Sequence, residues 1–140
     1  MIEQLKNMTQ ENKELLLQDL CSRLPYGVKC QFEDTIEIIK EIWFCEDEGW
    51  QVDGEKTSTC IHAVKPYLFP MSSMTEEEKK EYRKVCELDT EILENHPMDG
   101  SPFPAMYNSQ DWLNKHHFDY RGLIPMGLAN DATGKNIYNN

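Results

Sequence analysis

Four residues carry side chains that could bind a metal or transfer protons, namely His62, His116, His117 and Asp119. The histidine pair followed by an aspartate invites an acid/base or metal-site interpretation. Adjacent helical residues point about 100° apart, however, so His116 and His117 do not converge on one ion. Beside Lys115 near a helix end, they suit the negative pole of the helix dipole better. A small enzyme or metal-dependent protein using these four residues is kept as an alternative hypothesis.

The five cysteines are odd in number and widely spaced, at positions 21, 30, 45, 60 and 86. Structural zinc sites draw their ligands from close pairs, and the sequence has neither C-x-x-C nor H-x₃₋₅-H. Cys60 and His62 share a strand face that Cys30 could approach, but buried core thiols explain them better. Nucleotide-binding, hydrolase and metalloprotease motifs are also missing from the sequence. We therefore expect free thiols, no metal, no cofactor and a protein that is not an enzyme.

The net charge of −11 argues against gripping a nucleic-acid backbone. Glu46, Asp47 and Glu48 form an acidic turn that, with the acids of a later helix, could imitate nucleic acid, although a solvated face that maintains solubility is the usual explanation. The start lacks an apolar core of signal-peptide length, and no apolar run approaches the ~18 residues of a membrane span. These features predict a cytoplasmic protein that does not bind membranes.

A segment near the C-terminus carries the residue types that dominate binding hot spots, with Phe118, Tyr120, Arg121 and Leu123 as the predicted protein-binding residues. Completion of the core competes with this interpretation, because a small sheet with two helices still needs a lid. Tyr120 and Arg121 lie where a helix must end, so we expect them to project from a turn. Their replacement by alanine should change stability within about 0.5 kcal/mol.

The hydrophobic periodicity predicts one α+β domain over residues 1–129. Its small antiparallel sheet of four to five strands could curl into an open barrel or pack on the helices. The expected order is a helix over 9–24, strands within 28–64, a helix over 76–93, a loop over 94–108, a helix over 110–117, an apolar closing segment over 118–129 and a polar, frayed tail over 130–140.

Local patterns set several of these elements. Thr75-Glu76-Glu77-Glu78 matches a capping box, and Asp53-Gly54 is a hairpin signal. The run Thr35 to Phe44 indicates one long, bent strand, whereas the prolines in Lys65 to Pro70 predict a turn. The long helix should bury an apolar side made of Tyr82, Val85, Cys86, Leu88, Ile92 and Leu93.

Three stretches carry a family resemblance: L-P-Y-G-V from Leu24, K-P-Y-L-F-P-M-S-S-M-T-E-E-E from Lys65, and D-W-L-N-K-H-H-F-D-Y-R-G-L-I from Asp111. Together they resemble a family of small uncharacterised proteins from gut bacteria and their phages, with a match over most of Glu14 to Ala129. The resemblance implies an accessory gene of a mobile element, and such genes often encode inhibitors or adaptors. We therefore expect a non-enzymatic protein-interaction module, with the partner's identity and the oligomeric state left open.

Overall fold

The chain folds as two sheets packed with helices in a computed structural model that describes residues 8–96, 99–100 and 108–138. The elements in chain order are α1 (Gln10–Arg23), β1 (Lys29–Gln31), β2 (Ile36–Ile38), β3 (Glu41–Cys45), β4 (Gly49–Asp53), β5 (Ser58–Cys60), β6 (Lys65–Leu68), α2 (Glu76–Asn95), α3 (Ser109–Lys115) and β7 (Asn130–Asp131). One sheet has the strand order β2-β1-β6-β7 and the other the order β3-β4-β5. The predicted α+β class is confirmed, and the described strands do not close into a barrel.

Helix α1 forms as predicted and supplies one side of the main core. The Thr9 hydroxyl accepts a hydrogen bond from the Asn12 amide, which satisfies one of the free donors of the first turn. Leu16 and Leu20 point inward with no exposed surface, where they join Val28, Phe32 and other residues of the sheets. Burial of this stripe stabilises the helix more than its intrinsic propensity does.

The predicted long strand is wrong, because the chain changes sheets in its middle. Ile39 donates its amide to the Val28 carbonyl in the first sheet, and Lys40 donates to Asp53 in the second. Ile39 is itself buried at this crossing. The result is two short strands, β2 and β3, that face different partners.

The predicted turn over Lys65 to Pro70 is also wrong, since β6 occupies most of it. Cys30 lies opposite Pro66, and Tyr67 lies beside Asn130 in a parallel pair with β7. Pro66 lacks one ladder donor, but Pro66, Tyr67 and Leu68 are all buried. Burial of three consecutive side chains outweighs the lost hydrogen bond.

A buried carboxylate ties the two sheets together. Glu37 in β2 accepts hydrogen bonds from the Thr35 hydroxyl, from the Thr57 hydroxyl at 2.6 Å and from the Lys56 amide at 2.6 Å. These bonds, led by that of Thr35, lower the pKa of Glu37 to about 2. The hairpin predicted at Asp53-Gly54 is present, but Gly54 is needed for space: a Cβ there would lie 2.6 Å from Glu37 Oε1.

The capping box predicted at the start of α2 is confirmed, with Thr75 and Glu78 bonded reciprocally. The predicted buried side is wrong at Leu93, which is 52% exposed, and the other members are only partly buried. Asp89 is the buried residue of α2 instead, because its carboxylate accepts the amides of Asn108 and Ser109 at 2.8 and 2.6 Å. These bonds join α2 to the start of α3.

The end of the chain is more ordered than its composition predicts. Helix α3, predicted over 110–117, is capped by Asn108 and ends at Lys115. The closing segment belongs to the core at Leu123 and Leu128, which are buried, whereas Met126 is 46% exposed. The predicted frayed tail is wrong for residues 130–138: β7 pairs with β6, and the Tyr138 hydroxyl donates to the Tyr67 carbonyl at 2.7 Å.

Much of the loop expected over 94–108 lies outside the described residues.

Candidate binding surface

A pair of aromatic rings projects from the hairpin formed by β3 and β4. Phe44 lies opposite Trp50 in the register, with ring centroids 5.2 Å apart. Ile42 and Val52 form the next pair on the same face and pack into the core. Phe44 and Trp50 extend past that core and are 56% and 40% exposed. Exposed large aromatics in contact with each other are a common feature of binding surfaces.

These rings form one wall of an open groove with a volume of about 380 Å³. Helix α1 forms the facing wall. We call this site the aromatic groove; its lining residues are Gln10, Lys13, Glu14, Leu17, Phe44, Glu48, Gly49, Trp50, Ile61 and His62. Its lining thus combines apolar side chains (Leu17, Phe44, Trp50 and Ile61) with polar and charged ones, a composition typical of sites that recognise a side chain of another molecule.

Charge is distributed unevenly around the aromatic groove. The predicted acidic turn of Glu46, Asp47 and Glu48 is exposed and joins β3 to β4, so it lies directly beside Phe44 and Trp50. At another edge, burial and then the positive charge of Lys13 lower the pKa of His62. The hairpin side therefore favours cations, whereas the Lys13 and His62 side does not.

No family model, curated protein or solved structure matches the chain. The resemblance to a family of small proteins from gut bacteria and their phages therefore stays a prediction.

The predicted interface at the C-terminal segment is part of the core. Phe118 and Leu123 are 2% and 0% exposed, so neither can contact a partner. Tyr120 donates its hydroxyl hydrogen to Asn114 Oδ1 at 2.7 Å, and its ring lies beneath the guanidinium groups of Arg23 and Arg121. The expectation that Tyr120 and Arg121 project freely is therefore wrong.

Arg121 is held by a buried ion cluster. Asp19 of α1 is fully buried and accepts from Arg23 Nε at 2.9 Å and from Arg121 Nη1 at 2.8 Å. A second donor of Arg23, Nη2, bonds the Phe118 carbonyl at 2.6 Å. The cluster joins the first helix to the closing segment. Arg121 therefore stabilises the fold, although its residue type is one that is common in binding hot spots.

The candidate catalytic histidines do not meet. The His116 ring lies at a tilt against Trp112 with centroids 4.2 Å apart, whereas His117 stacks on Tyr138 at 3.8 Å. Both carboxylate oxygens of Asp119 accept amides of the following turn, from Leu123 and Ile124. Within the described ranges, no group of three or more His, Cys, Asp or Glu side chains is arranged to hold a metal ion.

All five cysteines are free thiols in the structure. Burial raises the pKa of the Cys21 and Cys30 thiols, which disfavours the thiolate that a nucleophile requires. The described helices include none that is long and apolar enough to cross a membrane.

The sequence did contain a signal for exposed aromatic residues on this hairpin. Apolar residues alternate on both faces of the run that ends at Phe44, with Ile42 and Phe44 on one face and Trp43 on the other. A small domain has too little core to cover both faces of such a hairpin. Trp43 is 40% exposed on the second face. This signal did not single out Phe44, which lies beyond Ile42 on the face that packs into the core.

Acid should destabilise the protein through His117. Burial first, and then the charges of Arg23, His116 and Lys29, lower its pKa from 6.5 to about 4, and its Nδ1 has no hydrogen-bond partner among the described residues. As the pH falls below about 6.5, this histidine becomes protonated in the unfolded chain but stays neutral in the folded chain until the pH approaches 4. The free energy of unfolding should therefore fall between pH 6.5 and pH 4, by at most about 3 kcal/mol.

Urea unfolding measured across this pH range, on the wild type and on His117→Phe, provides the test. Phenylalanine can keep the stack on Tyr138 but cannot titrate, so the variant should lose less stability on acidification. Because the pKa of His62 and that of Glu37 are also lowered, a smaller acid effect should persist in the variant. Identical pH profiles for the two proteins would contradict the assignment to His117.

Proposed function

We propose that the protein is a non-enzymatic protein-interaction module that binds its partner through the aromatic groove. The observation that carries this proposal is the exposed pair Phe44 and Trp50, which stands over the groove. A partner that covers these two rings would gain roughly 25 cal/mol of binding free energy for each Å² of apolar surface that it removes from water. Aromatic side chains in partly enclosed pockets are also the residues that most often dominate binding free energy.

The roles of the other candidate residues support a binding function over catalysis. His116 and His117 are engaged in ring contacts and Asp119 in a turn, as described above. The five free thiols favour a reducing compartment, so the cytoplasm is the proposed location. A role as an accessory or inhibitor of a mobile element is compatible with a small binding module and rests on the resemblance alone.

A second candidate function is inhibition by imitation of nucleic acid. The exposed turn of Glu46, Asp47 and Glu48 favours it, because clustered carboxylates can occupy a basic surface. Such a complex should weaken steeply with salt, since exposed charges are screened within about 10 Å at 0.1 M ionic strength. Binding dominated by Phe44 and Trp50 should depend much less on salt.

The binding experiment compares immobilised wild type with Trp50→Ala, Phe44→Ala and Met126→Ala in a lysate of the source cells. Met126 is 46% exposed on the closing segment and serves as a matched apolar control. We expect each groove variant to retain its circular dichroism spectrum and to lose at least about 2 kcal/mol of binding free energy for the captured protein, as hot-spot residues do. Met126→Ala should capture that protein like the wild type.

Two results would contradict the proposal. Capture that is unaffected by both groove variants would remove the aromatic groove as the binding surface. Capture that disappears in high salt, and after neutralisation of Glu46, Asp47 and Glu48, while surviving Trp50→Ala, would favour the nucleic-acid mimic instead.

A further inference from the structure

The edge of the aromatic groove next to the hairpin combines two kinds of group that recognise the same cation. Phe44 and Trp50 offer exposed aromatic rings, and Glu48, next to them in the hairpin, offers an exposed carboxylate. Glu14 adds a second exposed carboxylate from α1, where it accepts a hydrogen bond from Gln10. Planar guanidinium groups both stack on aromatic rings and pair with carboxylates. Ammonium groups also pair with carboxylates but stack less well on aromatic rings.

We propose that the aromatic groove receives an arginine side chain from a segment of the partner protein. This inference rests on the proposed function and specifies the chemistry of its partner. The guanidinium stacks against Trp50 and Phe44 while it donates hydrogen bonds to Glu48. The net charge of −11 and the neighbouring Glu46 and Asp47 attract a basic segment to this edge before contact.

Lys13 and His62 also line the groove and limit how much positive charge it can accept. Lys13 lies close enough to His62 to lower its pKa, so this part of the groove already carries positive charge. A continuous run of basic residues along the groove would meet Lys13. An arginine flanked by uncharged residues places its charge at Glu48 and its neighbours against Leu17 and Ile61.

Other occupants fit the observed charges less well. A second copy of the chain also carries a net charge of −11, and a contact through both hairpins would bring two acidic turns together. A nucleic acid would meet the same repulsion at Glu46, Asp47 and Glu48. A basic protein segment satisfies the rings and the carboxylates together.

The test uses three synthetic heptapeptides that differ only in a central arginine, lysine or citrulline flanked by leucine, with serine and glycine at the ends. Citrulline keeps the planar shape of arginine without its charge, and lysine keeps the charge without the plane. Each peptide is titrated into the isotope-labelled full chain, with the indole N–H signals followed by NMR. We expect the arginine peptide to bind about fivefold tighter than the lysine peptide and about tenfold tighter than the citrulline peptide.

Matched variants locate the binding. Glu48→Gln and Trp50→Ala should each weaken the arginine peptide at least about fivefold, whereas Glu87→Gln on α2, which removes the same charge from another exposed site, should change binding less than twofold. Equal binding of all three peptides would overturn the inference, as would equal losses in Glu48→Gln and Glu87→Gln. A dimer at the NMR concentration that dissociates in Trp50→Ala would also overturn it, in favour of a second copy.

The inference and the proposed function fail in distinguishable ways. If no peptide binds while Trp50→Ala still abolishes capture of the cellular partner, the arginine assignment is wrong and the aromatic groove remains the binding surface. If Trp50→Ala leaves capture of the cellular partner intact, the proposed function itself is wrong.

Discussion

Replacing Asp19 with asparagine should lower the free energy of unfolding by about 3–5 kcal/mol. Its carboxylate is fully buried and accepts from both Arg23 and Arg121. An amide of the same size offers one acceptor and no charge, so two guanidinium groups would lose their counter-charge. Arg23 is itself fully buried, and its Nη1 already has no hydrogen-bond partner within the described residues. Such an uncompensated buried cation lowers the free energy of unfolding far more than the loss of a surface ion pair does.

Asp47→Asn makes the same chemical change in the exposed acidic turn and is the matched control. We expect it to change the free energy of unfolding by less than about 0.5 kcal/mol. Urea denaturation at pH 7.5 measures both variants against the wild type. If Asp19→Asn proves as mild as Asp47→Asn, the buried cluster does not hold α1 to the closing segment.

Replacing Trp112 with alanine should lower the free energy of unfolding by about 3–5 kcal/mol. Trp112 is 8% exposed and forms the centre of a second core, with Phe118 stacked at 5.9 Å and Tyr82 at 5.4 Å. Its indole Nε1 donates to Glu81 at 3.1 Å. Truncation would remove the contact by which α3 packs on α2 and leave a large cavity.

Trp43→Ala is the control for the size of the side chain. Trp43 is 40% exposed on the hairpin, although its indole donates to Asp53, so we expect a loss of about 1 kcal/mol. Thermal and urea unfolding of both variants give the comparison. If both variants lose the same free energy of unfolding, the cluster around Trp112 is no better packed than the exposed hairpin.

The elements that the sequence predicted well depend on neighbouring residues. The capping box of Thr75 and Glu78 forms within a single turn, so residue types alone identify it. The apolar spacing of Leu16 and Leu20 likewise determines which face of α1 is buried. Both signals are complete within a few residues of the chain.

The incorrect predictions depend on distant partners. Pro66 predicts a turn locally, yet β6 forms because β1 and β7 flank it from positions far along the chain. Asp19 and Arg23 have the spacing of an ordinary helical ion pair, and only the arrival of Arg121 turns them into a buried cluster. Tertiary contacts of this kind have no local sequence signal.

The candidate surface was misplaced for a related reason. Aromatic residues and arginine serve both cores and interfaces, so their types could not decide between Tyr120 and Phe44. The deciding factor is what packs over each segment. Tyr120 lies under two guanidinium groups, whereas Phe44 remains 56% exposed beside an open groove.

The most direct test of the aromatic groove as the binding surface is photo-cross-linking in the source cells. A photoreactive benzoyl-phenylalanine replaces Phe44 in one variant and Met126 in another, and cross-linked proteins are identified by mass spectrometry. We predict that the probe at position 44 captures one protein, that Trp50→Ala abolishes this capture, and that the probe at position 126 does not yield it. Capture of the same protein from position 126 but not from position 44 would contradict the assignment of the binding surface.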